Sequence, residues 1–166
     1  MPDNDDELTV SYNGNHLFVE HGGTELFCRL IDARFPDYKV VIPGNNPYKL
    51  IVNKADFQNA LRRVSVFSNK STNQIALHIN GSKLQITAQD VDFSNEGSER
   101  MSCQYDGEEM QIAFNAKFLI EMLNGADTEE VVIELSGSTK AGIIKPSQQE
   151  EDEDLLMLVM PLMLNN

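Results

Sequence analysis

The sequence of 166 residues has no tryptophan, only two cysteines, and 13 basic residues against 26 acidic ones. Cys28 and Cys103 form no CxxC motif and are too few for a disulfide framework, so we expect two reduced, partly buried thiols. The formal charge of −13 excludes a chain that binds nucleic acid through a general basic coat. Any contact with DNA must therefore be local.

Long apolar runs are also missing, since no stretch reaches the roughly 18 to 20 consecutive apolar residues that a membrane helix needs. Met1 is followed by the acidic "PDNDDE" instead of a basic and then apolar signal sequence. We therefore expect a cytoplasmic protein. Its composition, 41% hydrophobic and 23% charged, is typical of a folded globular domain.

Catalytic signatures are absent from the sequence: it contains no GxSxG, no P-loop, no HExxH and no GxGxxG after a strand. The three histidines are poor candidates for a general base, because His16 and His21 lie in a short meander and His78 lies inside an alternating strand. The acidic runs "DNDDE" and "QQEEDED" lack the ligand spacing and central glycine of a calcium loop and indicate solvated charge. We expect no enzyme, no metal and no cofactor.

The first 31 residues predict three strands, "LTVSY", "HLFVE" and "ELFCRLI", separated by Gly and Asn turns. Such a meander buries little by itself, so we interpret it as the end of a domain whose earlier part is not present. The next stretch, with Pro36, Pro43 and Pro47, predicts a connector. The expected division is a partial domain with its connector over residues 1–47 and a complete domain over residues 48–166.

From Tyr48 onward the sequence contains an internal repeat. Asn53 and Asn115, 62 residues apart, each follow a predicted strand and are predicted to cap a helix. The two helices carry apolar residues at the same offsets of +4, +7 and +8: Phe57, Ala60 and Leu61 in the first, Leu119, Met122 and Leu123 in the second. In the first helix this apolar stripe continues to Val64. Three strands follow each helix: "IALHI", "KLQIT" and "MSCQY" after the first, and "VVIEL", "AGIIK" and "LLMLVMPLML" after the second. This doubled β-α-βββ unit predicts an α+β fold with two helices side by side on antiparallel sheet. The first helix should run to about Phe67 and the second should stop at Gly125.

The first predicted helix carries basic residues opposite its apolar stripe. Lys54, Arg62, Arg63 and Lys70 fall within seventeen residues, a spacing that suits contact with phosphate oxygens without sequence readout. An ordinary solvated helix face remains the alternative. Lys117 is the only base on the second helix.

Four segments in order resemble one known family: "RFPDYKVVIPGN" at residues 34–45, "VSVFSNK" at 64–70, "LQITAQD" at 84–90 and "VMPLML" at 159–164. They look like the C-terminal part of the bacterial sliding clamp, the beta subunit of DNA polymerase III. The resemblance runs from about Leu8 to Leu164. It implies a DNA-clamp fold in a non-catalytic processivity factor, with three such domains per chain and two chains joined head to tail in a ring around double-stranded DNA.

The resemblance also implies roles for individual residues. Lys54, Arg62, Arg63 and Lys117 should face the DNA, although helical periodicity does not decide which of the arginines points inward. Ring closure should use Val66 and Phe67, with acidic residues Asp90, Asp92 and Glu96 nearby.

The apolar end of the chain should form one wall of a pocket that receives Leu and Phe from short linear motifs. Such motifs belong to the polymerase catalytic subunit, the clamp loader and repair proteins. The implied pocket residues are Pro36, Val40, Val41, Thr139, Ala141, Leu158, Val159, Met160, Pro161, Leu162 and Met163. Val40 and Met163 stand where family members often carry arginine, and Asn165 and Asn166 extend past the usual end.

The resemblance begins inside the second clamp domain, so we expect a fragment that cannot encircle DNA alone and that binds motif peptides weakly if at all. Two other hypotheses about the function stay open. One is a generic peptide-binding or self-associating module that uses the terminal strand by edge addition. The other is a metal-dependent hydrolase built on the acidic runs.

Overall fold

The structure, a computed structural model, describes residues 7–164. Asn165 and Asn166, and the part of the first acidic run within residues 1–6, lie outside the described residues. The chain divides into two compact units, Met1–Tyr38 and Lys39–Asn166. Each unit is described by itself.

The first unit is a three-stranded antiparallel meander, which confirms the prediction for this part of the chain. Its strands are β1 (Thr9–Tyr12), β2 (His16–His21) and β3 (Thr24–Arg29). In the first turn, Asn13 Oδ1 accepts hydrogen bonds from the backbone N–H groups of Asn15 and His16, both at 2.9 Å. In the second turn, Gly22 and Gly23 have φ angles of +54° and +77°, which suit a two-residue hairpin.

The second unit contains two helices and nine strands among the described residues. The helices are α1 (Lys54–Ser65) and α2 (Ala116–Gly125), and a short 3-10 helix, Tyr38–Val41, spans the boundary between the units. The strands are β4 (Tyr48–Asn53), β5 (Gln74–Asn80), β6 (Lys83–Asp90), β7 (Asn95–Ser102), β8 (Gln104–Asp106), β9 (Met110–Asn115), β10 (Glu130–Leu135), β11 (Gly142–Pro146) and β12 (Met157–Val159).

The strands of the second unit form two antiparallel sheets that exchange strands between the halves of the repeat. The strand orders are β12-β11-β10-β4-β8 and β7-β6-β5-β9. Strand β4 precedes α1 but pairs with β10, the first strand after α2, and β9 precedes α2 but pairs with β5, the first strand after α1. Matching hydrogen bonds at 2.9 Å accompany the exchange, from Lys54 N to Glu129 O and from Ala116 N to Asn73 O. Each half therefore completes the sheet of the other.

Both predicted helix caps are confirmed. Asn53 Oδ1 accepts a hydrogen bond from the backbone N–H of Asp56 at 3.0 Å. Asn115 Oδ1 accepts from Lys117 N at 2.9 Å and from Phe118 N at 3.3 Å. These bonds satisfy N–H groups that the first turn of a helix leaves without an intrahelical acceptor.

Helix α1 is shorter than predicted, because it ends at Ser65 and not near Phe67. Beyond it the backbone N–H of Phe67 bonds to Val64 O at 3.0 Å, a tighter turn than that of an α-helix. Helix α2 ends at Gly125, as expected.

The terminal strand is also shorter than the predicted run, because regular pairing covers only Met157–Val159. Pro161 has no N–H to donate to a ladder. The chain then crosses to the other sheet, where Leu162 N donates to Ala113 O of β9 at 2.8 Å. The predicted strand "MSCQY" is likewise divided, since Cys103 separates β7 in one sheet from β8 in the other.

One core joins both halves of the second unit and contains the apolar stripe predicted for α1, namely Phe57, Ala60, Leu61 and Val64. From α2, Leu119 and Leu123 are buried, whereas Met122 is only partly buried. Both cysteines are free thiols, and burial raises the pKa of Cys103.

Candidate functional site

The outer side of α1 carries Arg62. Its position on the helix lies opposite the buried stripe that includes Phe57, Leu61 and Val64, and its side chain is exposed. The side of α1 that carries Gln58 faces α2, because the Gln58 amide donates to Ile120 O at 3.3 Å and to Asn124 Oδ1 at 2.6 Å. The two helices therefore lie side by side, and Arg62 faces solvent on α1.

Arg63 lies on the flank of α1 that faces β7. Its Nε donates to Glu99 Oε2 at 2.9 Å, and a second guanidinium nitrogen donates to the other carboxylate oxygen. This two-pronged ion pair lowers the pKa of Glu99 and raises that of Arg63. Arg63 is thus engaged by strand β7, although more than half of its side chain is exposed.

The two predicted lysines differ in their surroundings. Lys54 Nζ donates to the backbone oxygen of Ala126, which follows the end of α2, at 2.7 Å. Lys117 is exposed in the first turn of α2, with Glu121 exposed one turn further along. The structure therefore places the four residues predicted to face DNA, Lys54, Arg62, Arg63 and Lys117, on the two helices. Lys54 and Arg63 are engaged by hydrogen bonds, whereas Arg62 and Lys117 are exposed.

Two of the predicted ring-closure residues come directly after the C-terminal end of α1. Val66 and Phe67 are exposed. The Phe67 ring lies against Gly97 of β7, so close that a Cβ at this glycine would overlap it. β7 is the outermost strand of its sheet and pairs with β6. The structure thus brings the end of α1 to a sheet edge.

The predicted acidic residues lie in and beside the turn between β6 and β7. Asp90 is only 4% exposed, and its Oδ1 accepts from Asp92 N at 3.2 Å. Asp92 also contacts the amide of Asn69, which lies beyond α1, and Glu96 is exposed on β7. Solvent therefore reaches Asp92 and Glu96 more readily than Asp90.

Two apolar side chains in the same turn were not among the residues predicted from the sequence. Val91 and Phe93 are both exposed beside the acidic residues. The signal in the sequence is "DVDFSN", two large apolar residues in a polar turn. Together with Val66 and Phe67 they give this end of the second unit an apolar surface.

The predicted pocket residues of the connector and of the β10–β11 hairpin are exposed, with the exception of Ala141. Val40 and Val41 belong to the short 3-10 helix, and Val40 is 77% exposed. In the hairpin turn, Thr139 is exposed whereas Ala141 is nearly buried. Pro36 belongs to the first unit, where it is exposed.

The remaining pocket residues lie in the terminal segment, which combines buried, half-buried and exposed side chains. Val159 is 2% exposed, whereas Met160 is 62% exposed and Met163 is 78% exposed. The flanking residues Leu158, Pro161 and Leu162 are half-buried. The segment thus anchors one side in the core and presents methionine side chains to solvent.

The described residues contain neither a cluster of potential metal ligands nor a helix that could span a membrane. No three His, Cys, Asp or Glu side chains within 7–164 are grouped so that they could hold a metal ion. His78 Nε2 lies 3.3 Å from both Thr87 Oγ1 and Gln111 Nε2 on the surface of its sheet. Within the same range neither helix has the length and apolar character of a membrane span.

Known proteins share both this sequence pattern and this fold. Residues 39–163 match the family model for the C-terminal domain of the DNA polymerase III beta subunit. The beta sliding clamp of Staphylococcus epidermidis is 25% identical over 163 residues, which cover 98% of this chain and 42% of that protein. The clamp of Staphylococcus aureus is 24% identical over the same lengths.

Solved structures of sliding clamps resemble this chain in fold as well. The sliding clamp of Bartonella birtlesii bound to griselimycin superposes with a TM-score of 0.88 at 27% identity, covering 95% of this chain and 41% of that one. The beta subunit of Thermotoga maritima gives a TM-score of 0.83 at 30% identity, with 95% and 42% covered. The chain spans about two fifths of the length of these relatives, and the predicted α+β clamp fold is confirmed. The chain belongs to the family of the DNA polymerase III beta subunit, a non-catalytic sliding clamp, and residues 39–163 match its C-terminal domain.

Proposed function

We propose that this chain supplies the third, C-terminal domain of a DNA sliding clamp that binds partner proteins through an apolar pocket. The terminal segment carries the proposal, because buried Val159 anchors it while Met160 and Met163 remain exposed. Flexible methionine side chains suit a surface that accepts several partner peptides in turn. Under this proposal residues 48–166 form the third domain, and residues 1–47 form the end of the second domain and the connector.

The first unit supports its assignment to part of a larger domain. Val10, Val19 and Leu26 are paired across its three strands and therefore lie on one face of the sheet. Tyr12, Leu17 and Cys28 form the neighbouring row on the same face. Val10, Tyr12 and Leu26 are exposed. Such a face is usually covered in a folded domain, which supports a chain that is a fragment of the complete clamp.

The paired helices form the proposed DNA surface. Arg62 and Lys117 are the most available contacts for phosphate oxygens, because Lys54 bonds to Ala126 O and Arg63 pairs with Glu99. A few exposed cations on an acidic protein give weak, salt-dependent contacts without sequence preference. Such contacts suit a ring that slides along double-stranded DNA.

The apolar surface beside β7, made by the end of α1 and the β6–β7 turn, is the proposed ring-closure surface. Val66 and Phe67 stand beside the free edge of β7, with Val91 and Phe93 in the adjoining turn. Asp92 and Glu96 add exposed negative charge. In the complete protein this surface would meet the first domain of a second copy, head to tail, so this chain alone would not close a ring.

The proposed partners of the pocket are the polymerase catalytic subunit, the clamp loader and repair proteins, each through a short motif with Leu and Phe. The proposed setting is the bacterial cytoplasm, where the family's replication partners act. Because part of the pocket wall would come from the missing part of the second domain, this chain should bind such peptides more weakly than a complete clamp.

Nuclear magnetic resonance titration of the isotope-labelled chain with a synthetic Leu/Phe motif peptide tests the proposal. We expect chemical-shift changes in residues 139–141 and 157–163, with an affinity below that of a complete clamp. Griselimycin, with which the Bartonella birtlesii clamp was crystallised, is a second probe, and a peptide with Ala in place of Leu and Phe is the matched control. Equal binding of the Ala peptide, or shifts confined to the edge strand β12 with none in residues 139–141, would favour a generic β-edge binding module.

A further inference from the structure

We infer that Asn46 is a positioning residue for the peptide pocket, an inference that rests on the function proposed above. Asn46 lies in the connector, between the segment that carries Val40 and Val41 and the start of β4. Its side chain joins this connector to the β10–β11 hairpin, which carries Thr139 and Ala141. A single side chain thus ties together two separate parts of the predicted pocket.

Both hydrogens of the Asn46 amide are used in this connection. Asn46 Nδ2 donates to Glu134 O at 3.0 Å and to Ala141 O at 3.1 Å. Glu134 belongs to β10, and Ala141 immediately precedes β11. The amide therefore bridges the two arms of the hairpin at the end where its turn begins.

The bridge continues to the terminal segment through the backbone. Ala141 is followed by Gly142, which pairs with Val159 of β12. Gly142 is packed so tightly that a Cβ there would meet a Leu135 methyl group at 3.1 Å and a Val159 methyl group at 3.4 Å. A displacement of Ala141 would therefore also displace Val159. The next residue along the chain is the exposed Met160 of the predicted pocket.

The local backbone restricts where the Asn46 side chain can point. Pro47 disfavours the helical conformation for the residue before it, and Pro43 fixes its own φ angle earlier in the connector. Asn46 Oδ1 is buried and has no hydrogen-bond partner among residues 7–164. The N–H donors are thus the part of this amide that the fold uses, and an aspartate of the same shape would lack both.

The test compares Asn46→Asp with Asn45→Asp, which makes the same chemical change at an exposed neighbouring residue. For each variant we would measure motif-peptide affinity by titration, amide hydrogen exchange, and the melting temperature. Asn46→Asp should weaken peptide binding by about tenfold, the effect of losing one to two ordinary hydrogen bonds. It should also speed exchange in residues 39–45 and 136–141 while leaving the β5–β9 pair protected. Asn45→Asp should match the original chain, and Asn46→Gln, which keeps the donors, should recover part of the affinity.

The outcomes separate the inference from the function on which it rests. If the original chain bound the motif peptide and Asn46→Asp bound it equally well, the positioning role of Asn46 would be overturned while the proposed function would stand. Uniformly faster exchange throughout the second unit would show a general stabilising role and also overturn it. If the original chain bound neither motif peptide nor griselimycin, the pocket would be wrong and the inference would fall with it.

Discussion

The side-chain amide of Gln58 on α1 donates to the backbone oxygen of Ile120 on α2, a residue 62 positions further along the chain. The same offset separates the two helix caps, so Gln58 bonds to its own counterpart in the repeat. Such a contact places the two residues next to the approximate twofold axis that relates the halves. Replacement of Gln58 therefore tests the helix pairing directly.

Gln58→Ala should lower the free energy of unfolding by roughly 1 kcal/mol, because the bonds to Ile120 O and to Asn124 Oδ1 are lost. Urea denaturation followed by circular dichroism would measure it. Asn59→Ala is the matched control, since Asn59 is an exposed neighbour on the same helix. Equal stabilities of the two variants would argue against a structural role for the Gln58 bonds.

Asn53→Ala and Asn115→Ala should each destabilise the fold by about 1 kcal/mol through loss of a helix cap. The effect should be larger at Asn115, because its Nδ2 also donates to Thr72 O at 2.9 Å. Chemical denaturation of both variants would check the order. Glycine at the same positions should cost less than alanine, and the reverse result would contradict a capping role.

The ion pair between Arg63 and Glu99 should make stability depend on pH. Because the partner lowers the folded-state pKa of Glu99, the pair stabilises the protein above the unfolded-state pKa and loses this effect as pH falls through the folded value. The original chain should therefore be more stable than Glu99→Gln at pH 7, and the difference should shrink below about pH 4. Denaturation curves at several pH values would measure it.

Glu96→Gln, an exposed change on the same strand, controls for the general effect of removing one negative charge. A stability difference between Glu99→Gln and the original chain that stays constant across this pH range would exclude the ion pair as its cause.

Gly97→Ala should destabilise the end of α1, because a Cβ there would overlap the Phe67 ring. Overpacking of a core typically costs about 1–3 kcal/mol, and because the Phe67 ring is partly exposed and can move, we expect a cost near the lower end of that range. We expect a lower melting temperature and shifted Phe67 ring resonances. Gly44→Ala is a suitable comparison, since a Cβ at Gly44 meets no atom within 4 Å. Unchanged Phe67 resonances in Gly97→Ala would show that the ring does not rest on this glycine.

The repeat and its helices could be predicted because their signals are local. Asn53 and Asn115 act on N–H groups within three residues, and the apolar stripe of α1 repeats with helical spacing. Strand β7 could not be found as such, since "NEGSERMS" lies at a sheet edge, is mostly exposed and lacks a buried alternating pattern. Strand exchange depends on pairing between distant segments, which no local pattern encodes.

The candidate site was predictable only in part, and for similar reasons. Composition indicated that α1 carries cations, but the engagement of Arg63 by Glu99 depends on where β7 lies. The contribution of Asn46 depends on two carbonyl groups about ninety residues further along the chain. In the sequence, Asn46 resembles any turn residue before a proline.

The exchange of β4 and β9 between the two sheets constrains how this domain can be made and divided. While the chain is being synthesised, the outer edge of β5 stays open until β9 has emerged, so native structure must form late and cooperatively. A polypeptide severed within residues 107–109, between β8 and β9, would yield an N-terminal piece whose four-stranded sheet lacks β9 and a C-terminal piece whose five-stranded sheet lacks β4 and β8. Neither piece would be a smaller domain, and only their reassociation would restore both sheets.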